Sequence, residues 1–188
     1  MKQAIVILIT LLSFTLSKAQ EFKATTKYVL AANAEDKEQQ YPPYLIHLTA
    51  ADEAANELAT IAVDSKDFMG EPNITSLDNP GLEGVSEIIK VSIPYEAACQ
   101  KVVSYYFVVE NNNNVVALPA IENLYCDNIP LGFGYIFPNQ KYGKVGVIQS
   151  AQMMFTRKNQ IKAIDVIRSI AWNDDDFEAE DIPEETGK

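Results

Sequence analysis

The alternation of apolar and polar positions in the second half of the chain predicts a succession of β-strands. In residues 44–49 every second side chain is large and apolar, which is the period of two expected of a strand. Residues 88–93 are rich in β-branched side chains, which favour strands. Residues 102–109 are apolar on both faces apart from Ser104, so we expect a central strand that is covered on each side.

Two hairpins follow from the polar stretches between these apolar runs. Four consecutive asparagines at 111–114 suit a turn, because Asn tolerates left-handed backbone angles, and they predict a hairpin over residues 102–118. A second hairpin is predicted from residues 145–155 and 161–172. The polar loop between its strands offers Asn159 for a left-handed position.

The first half of the chain has a less regular pattern. Residues 22–32 have the composition of a strand, and the charges, amides and prolines of residues 33–43 predict a linker. Apolar residues recur at helical spacing over 51–62 after a capping-box pattern, which predicts a short helix. The competing interpretation is a hairpin whose second strand covers residues 58–63. Glycines, prolines and six acidic residues over 64–87 predict a long loop.

Because strands follow one another through short connections, the sheets should be mainly antiparallel. We therefore expect a mainly β fold, an antiparallel β-sandwich or barrel-like structure with one short helix, and α+β is the alternative. Residues 20–173 are expected to form a single domain. The eight acidic residues after position 173 predict a flexible acidic tail at 174–188.

Residues 1–19 have the pattern of a cleavable export signal. A basic start is followed by an apolar-rich stretch of about 13 residues, which is too short to cross a bilayer as a helix. Ser17 and Ala19 place small residues at the positions that signal peptidase requires, so we expect cleavage before Gln20. The mature chain should be soluble, without membrane insertion, in the periplasm or outside the cell.

Export would change the net charge of the mature chain and the expected oxidation state of its two cysteines. Loss of Lys2 and Lys18 lowers the 15 basic residues to 13 against 26 acidic ones, a net charge of −13. Such a chain repels nucleic acid, and a charged partner would be basic. The favoured interpretation of the charge is that it only keeps an exported protein soluble. Cys99 and Cys126 predict one disulfide in an oxidising compartment, with two free thiols or an intermolecular bridge as the alternatives.

The sequence contains no recognisable catalytic, metal or cofactor motif. His47 is the only histidine, so multi-histidine metal sites are excluded, and we interpret it as a hydrogen-bonded strand residue. Paired carboxylates carry little information among 26 acidic residues, and the acidic tail lacks the glycine and glutamate spacing of an EF-hand. We expect no cofactor, no metal site and no catalytic residue.

An aromatic row in residues 131–137 is the first candidate for a binding face. A strand there places Phe133, Tyr135 and Phe137 on one side, with Tyr142 shortly after, and glycines on the other side that permit close backbone approach. Core packing is the favoured interpretation of this row, and binding is the alternative.

The favoured function is an exported, non-catalytic binding module for a protein or glycan ligand. A specific version is an inhibitor or immunity protein that covers a basic site on its partner. The alternatives are a carboxylate-based hydrolase of glycans or cell wall, and a structural protein of the cell surface.

Overall fold

The computed structural model describes residues 20–34, 44–51, 57–63, 69–96, 98–126, 131–156 and 160–172. The predicted signal at 1–19 and the predicted tail at 174–188 lie outside these residues. Eleven strands are present in the described part of the chain: β1 (Lys23–Ala24), β2 (Tyr28–Ala34), β3 (Tyr44–Ala50), β4 (Glu57–Val63), β5 (Asn73–Asp78), β6 (Val85–Tyr95), β7 (Gln100–Glu110), β8 (Val115–Tyr125), β9 (Leu131–Ile136), β10 (Val147–Phe155) and β11 (Ile161–Ala171).

The strands form three antiparallel sheets, which confirms the mainly β expectation. The central sheet has the order β1-β5-β6-β7-β8. The N-terminal sheet has the order β2-β3-β4, and the C-terminal sheet has the order β11-β10-β9. Within the ranges described above there is no helix, and in particular none that could span a membrane.

The central sheet is buried on both faces, so the molecule is a β-sandwich-like stack of three layers. Ile88 and Val108 face the C-terminal sheet in one core. The next residues along the same strands, Ile89 and Val109, face the N-terminal sheet in a second core. This alternation follows from the period of two along a strand. The central strand predicted at 102–109 is therefore confirmed as part of β7.

The helix predicted at 51–62 is wrong where the structure describes it, because residues from Glu57 onward form β4. β4 pairs antiparallel with β3, with Ile46 opposite Ile61, so the competing hairpin is confirmed. Ile61 and Val63 are buried and the residue between them is exposed. Burying these two side chains in the second core outweighs the helical spacing of the alanines. Residues 52–56 lie outside the described part.

The long loop predicted at 64–87 is also corrected. β5 occupies Asn73–Asp78 and pairs with β6 over six residues, and Leu77 is buried in the core with the C-terminal sheet. Gly70 and Pro72 lie just before β5. The remaining proline and glycines lie in the connection between β5 and β6, where Asn79, Gly81 and Gly84 adopt positive φ angles. Pairing with the long strand β6 stabilises β5 although its flanks are rich in turn residues. Residues 64–68 are outside the described part.

Both predicted hairpins are confirmed. β7 and β8 are joined by a turn in which Asn113 has a φ of 68°. β10 and β11 pair along their length with two register irregularities. The position predicted for Asn159 lies outside the described residues.

The predicted disulfide is present between Cys99 and Cys126. It lies at the ends of β7 and β8, next to the pair formed by Gln100 and Tyr125.

Side chains, rather than a continuous ladder, connect the central and C-terminal sheets. The buried amide of Asn123 in β8 accepts from the backbone N–H of Phe133 at 2.6 Å and donates to its carbonyl oxygen at 3.0 Å. A Cβ atom at Gly134 would lie 2.7 Å from the terminal methyl group of Met153 on the neighbouring strand β10. A larger residue at this position would therefore force the Met153 side chain to move.

The residues before β1 close one side of the core between the central and C-terminal sheets. The ring of Phe22 packs edge-on against Tyr106 and Phe137, with centroids 6.1 Å apart in each case. The backbone N–H of Gln20 donates to the carbonyl oxygen of Asn139 at 3.0 Å. The N-terminal segment of the described chain is therefore an integral part of the fold.

Candidate functional site

A polar cleft of about 500 Å³ opens where the N-terminal sheet meets the end of the central sheet. We call it the carboxylate cleft, because Glu57 from β4 and Glu87 from β6 both line it. Tyr28 and the turn residues Asn113 and Asn114 complete its polar wall. Its size falls within the range of ordinary ligand sites.

Glu87 is held in place by two donors from the β1–β2 region. The hydroxyl of Tyr28 donates a hydrogen bond to one carboxylate oxygen, and the ammonium of Lys27 lies 3.3 Å from the other. Lys27 also contacts Asp78 at 2.9 Å, and the bonds to Asp78 and Glu87 raise the pKa of Lys27. Glu87 is therefore a fixed part of the cleft wall, with only 13% of its side chain exposed.

Glu57 is held differently and remains accessible. The hydroxyl of Thr60 donates to its carboxylate, and Nδ1 of His47 lies 3.0 Å from Oε2. The hydrogen bond from Thr60, followed by the contact with His47, lowers the pKa of Glu57. About half of the Glu57 side chain, 49%, is exposed, so the cleft presents an ionised carboxylate to solvent.

His47 lies on the outer side of β3 and interacts with the cleft through Glu57. Its Nε2 is buried and has no hydrogen-bond partner among the described residues, whereas Nδ1 faces the Glu57 carboxylate. Because an ionised carboxylate only accepts hydrogen bonds, Nδ1 is the donor in this contact, and His47 thereby positions Glu57. The position agrees with the expectation of a hydrogen-bonded strand histidine.

A second cleft, of about 590 Å³, lies on the C-terminal sheet beside the N-terminal segment. We call it the amide cleft. Met153 and Phe155 of β10 contribute its apolar part. The side chains of Gln20, Gln140 and Gln160 contribute amides, and Glu21 and Lys141 contribute opposite charges. This cleft can offer hydrogen bonds and apolar contact to a peptide or a glycan.

The structure divides the predicted aromatic row between the core and the surface. Phe137 is fully buried and Tyr135 is 7% exposed, so both rings pack in the core. Desolvation raises the pKa of Tyr135 to about 12, and its hydroxyl donates to the carbonyl oxygen of Pro119 at 3.1 Å. Phe133 and Tyr142 are 40% and 49% exposed. A binding role for these two exposed rings stays a prediction.

Charge is distributed unevenly, which the net charge alone conceals. Residues 131–172 contain six basic side chains and a single acidic one, Asp165. Of these, Lys141, Lys144 and Lys162 are exposed on or beside the C-terminal sheet. The carboxylate cleft lies in the acidic remainder. Counting charges by segment would have revealed this asymmetry from the sequence.

The grouping of Tyr28, Glu57 and Glu87 was not predicted. These residues lie on three strands and meet only because the N-terminal sheet packs on the central sheet. No sequence motif marks them. The described ranges contain no group of three or more His, Cys, Asp or Glu side chains that could hold a metal ion.

No family model, curated protein or solved structure matches the chain.

Proposed function

We propose that this chain is an exported binding protein that receives a cationic side chain of a protein partner in the carboxylate cleft. The observation that carries the proposal is the half-exposed carboxylate of Glu57, which Thr60 and His47 keep ionised beside Glu87. A lysine or arginine entering the cleft would find one accessible negative charge and a second one in the wall. Charge-assisted bonds of this kind are stronger than neutral ones.

The amides of the turn between β7 and β8 would add direction to this contact. Asn113 and Asn114 line the same cleft as the two carboxylates, and the side-chain amide of Asn114 is positioned by donating to Glu110 at 3.2 Å. A guanidinium or ammonium group needs several acceptors, which side-chain amides and carboxylates supply together. This arrangement favours a specific cationic side chain over diffuse attraction.

The uneven charge distribution supports one orientation of the partner. A basic partner surface is attracted to the acidic side of the molecule and repelled by the basic C-terminal sheet. Such complementarity raises the association rate and selects the face that docks. An inhibitor or immunity protein that covers a basic site would use the molecule in this way.

Export is the second part of the proposal, with cleavage between Ala19 and Gln20. The pattern of residues 1–19 supports it, as does the disulfide between Cys99 and Cys126, because such bonds persist in oxidising compartments. Gln20 would then be the first residue of the mature protein.

A second candidate function, glycan hydrolysis, is favoured by one observation: two carboxylates share a cleft. Hydrolysis by such a pair requires one carboxyl group that holds a proton near neutral pH. The lowered pKa of Glu57 is unsuited to the proton-donating role and leaves Glu57 only the role of base or nucleophile. Release of reducing sugar from cell-wall glycan by the wild type, and its loss in Glu57→Gln, would support the hydrolase over the binding protein.

The binding proposal is tested by comparing two matched charge variants. The mature protein is immobilised, a partner is captured from the native compartment, and its affinity is then measured by calorimetry. We expect Glu57→Gln to weaken binding by about tenfold, a loss of about 1.4 kcal/mol. Glu71→Gln, at an exposed position that lines neither cleft, should bind like the wild type.

Salt provides the second readout. Affinity for the wild type should fall as salt is raised, and the fall should be smaller for Glu57→Gln. A partner that binds both variants equally, or binding that is indifferent to salt, would reject the carboxylate cleft as the site.

A further inference from the structure

Gln20 occupies a defined place at the rim of the amide cleft. Its backbone N–H donates to the carbonyl oxygen of Asn139 at 3.0 Å. In its favourable orientation, the side-chain amide donates to the carbonyl oxygens of Asp78 and Asn79, the latter at 2.9 Å. The residue is partly buried, so the chemical form of its nitrogen atoms matters to the fold.

Cleavage before Gln20 would create a glutamine with a free α-amine. That amine can attack its own side-chain Cδ and form the N–Cδ bond of a five-membered lactam. The bond between Cδ and Nε2 then breaks, and Nε2 leaves as ammonia after taking a proton from the amine. The reaction consumes no second reactant and removes the positive charge of the terminus.

We infer that Gln20 is converted to N-terminal pyroglutamate in the mature protein. The inference rests on the cleavage site given under the proposed function. It assigns a covalent modification to the residue that joins the N-terminal segment to the loop after β9.

The lactam suits the contacts of Gln20 better than an ammonium group does. A lactam retains one N–H, which is what the carbonyl oxygen of Asn139 accepts in the structure. An ammonium at this partly buried position would have to be desolvated, which is costly for a charged group. The cleft contains one acidic and one basic side chain, Glu21 and Lys141, so a neutral terminus keeps these two opposite charges balanced.

Cyclisation removes the amide donor, and the surrounding loops can compensate for this. The carbonyl oxygen of Asn79 also accepts a hydrogen bond from Nδ2 of Asn139 at 2.8 Å. The connection between the β5–β6 turn and the loop after β9 therefore does not depend on the side chain of Gln20. The neutral terminus keeps the anchor at Asn139 and resists aminopeptidases that need a free amine.

The test is the mass and N-terminal chemistry of the protein isolated from the cells that produce it. The intact mass should equal that of the chain beginning at Gln20, with the disulfide formed, less one molecule of ammonia. N-terminal sequencing should be blocked, and treatment with pyroglutamate aminopeptidase should restore it with Glu21 as the first residue. Gln20→Asn is the matched control, since its shorter side chain does not form this ring, and it should give the full mass and a readable terminus.

The outcomes separate this inference from the export proposal. A chain that begins at Gln20 with a free amine would overturn the modification and leave export standing. A protein that retains residues 1–19, or is cut elsewhere, would overturn both. Loss of ammonia in Gln20→Asn to the same extent as in the wild type would place the modification elsewhere and reject the assignment to Gln20.

Discussion

Three phenylalanines that differ in burial test whether the N-terminal segment contributes to the stability of the fold. Phe137 is fully buried, and its replacement by alanine should cost about 3–5 kcal/mol of unfolding free energy. Phe22 is partly buried and makes two edge contacts at 6.1 Å, with Tyr106 and Phe137. The ammonium of Lys90 lies 5.9 Å from its ring, and burial lowers the pKa of Lys90.

From these contacts we expect Phe22→Ala to lower the free energy of unfolding by about 2 kcal/mol. Partial burial gives about half the transfer free energy of a core phenylalanine, and the ring contacts add to it. Renewed hydration of Lys90 offsets part of the loss. Phe133→Ala, at a ring that is 40% exposed, is the matched control and should cost about 1 kcal/mol or less.

Urea unfolding followed by tyrosine and tryptophan fluorescence measures the series. With a slope of about 2 kcal/mol per molar, Phe22→Ala should lower the midpoint by about 1 M. The order of cost should be Phe137, then Phe22, then Phe133. An unchanged midpoint for Phe22→Ala would refute the conclusion that the N-terminal segment closes the core.

Further predictions concern the disulfide, the sheet junction and alkaline pH. Replacing Cys99 and Cys126 with serine should lower the unfolding free energy by about 3.5 kcal/mol, from loop-closure entropy over their separation of 27 residues, and an unchanged urea midpoint would contradict this. Asn123→Ala should cost about 2–3 kcal/mol in the same assay, because two backbone groups of β9 lose their partners; a cost near zero would show that they find others. Burial raises the pKa of Tyr135 from 10.0 to about 12 and also raises the pKa of Tyr106. The folded state therefore favours the neutral form of both tyrosines, and this stabilisation is fully present below pH 10. Stability should fall as the pH rises from about 10 to about 12, and Tyr135→Phe should reduce that fall; equal pH profiles would exclude Tyr135 as a cause.

The two errors in the predicted fold have one physical origin. The alanines and Leu58 of residues 51–62, and the turn residues of 64–87, express local preferences that differ by only fractions of a kcal/mol per residue. Pairing of β4 with β3, and of β5 with β6, buries Ile61, Val63 and Leu77. The free energy gained by burying these three apolar side chains outweighs the local preference.

The candidate site was less accessible to sequence reasoning than the fold. Glu57 and Glu87 are separated by 30 positions and are two of 26 acidic residues. Only the packing of the N-terminal sheet on the central sheet brings them to one cleft. The aromatic row was visible in the sequence. The sequence did not show where the core ends, which is what buries Phe137 and leaves Phe133 exposed.

The sequence by itself determined those features that depend on neighbouring residues or on composition. Period-two alternation specified the strands of the second half, four asparagines specified a turn, and two cysteines admitted a single pairing within the chain. Tertiary structure alone decided which sheet covers which face, because that depends on contacts between strands distant in the chain. The carboxylate cleft, the anchoring of Gln20 at Asn139 and the division of the aromatic row all belong to this second class.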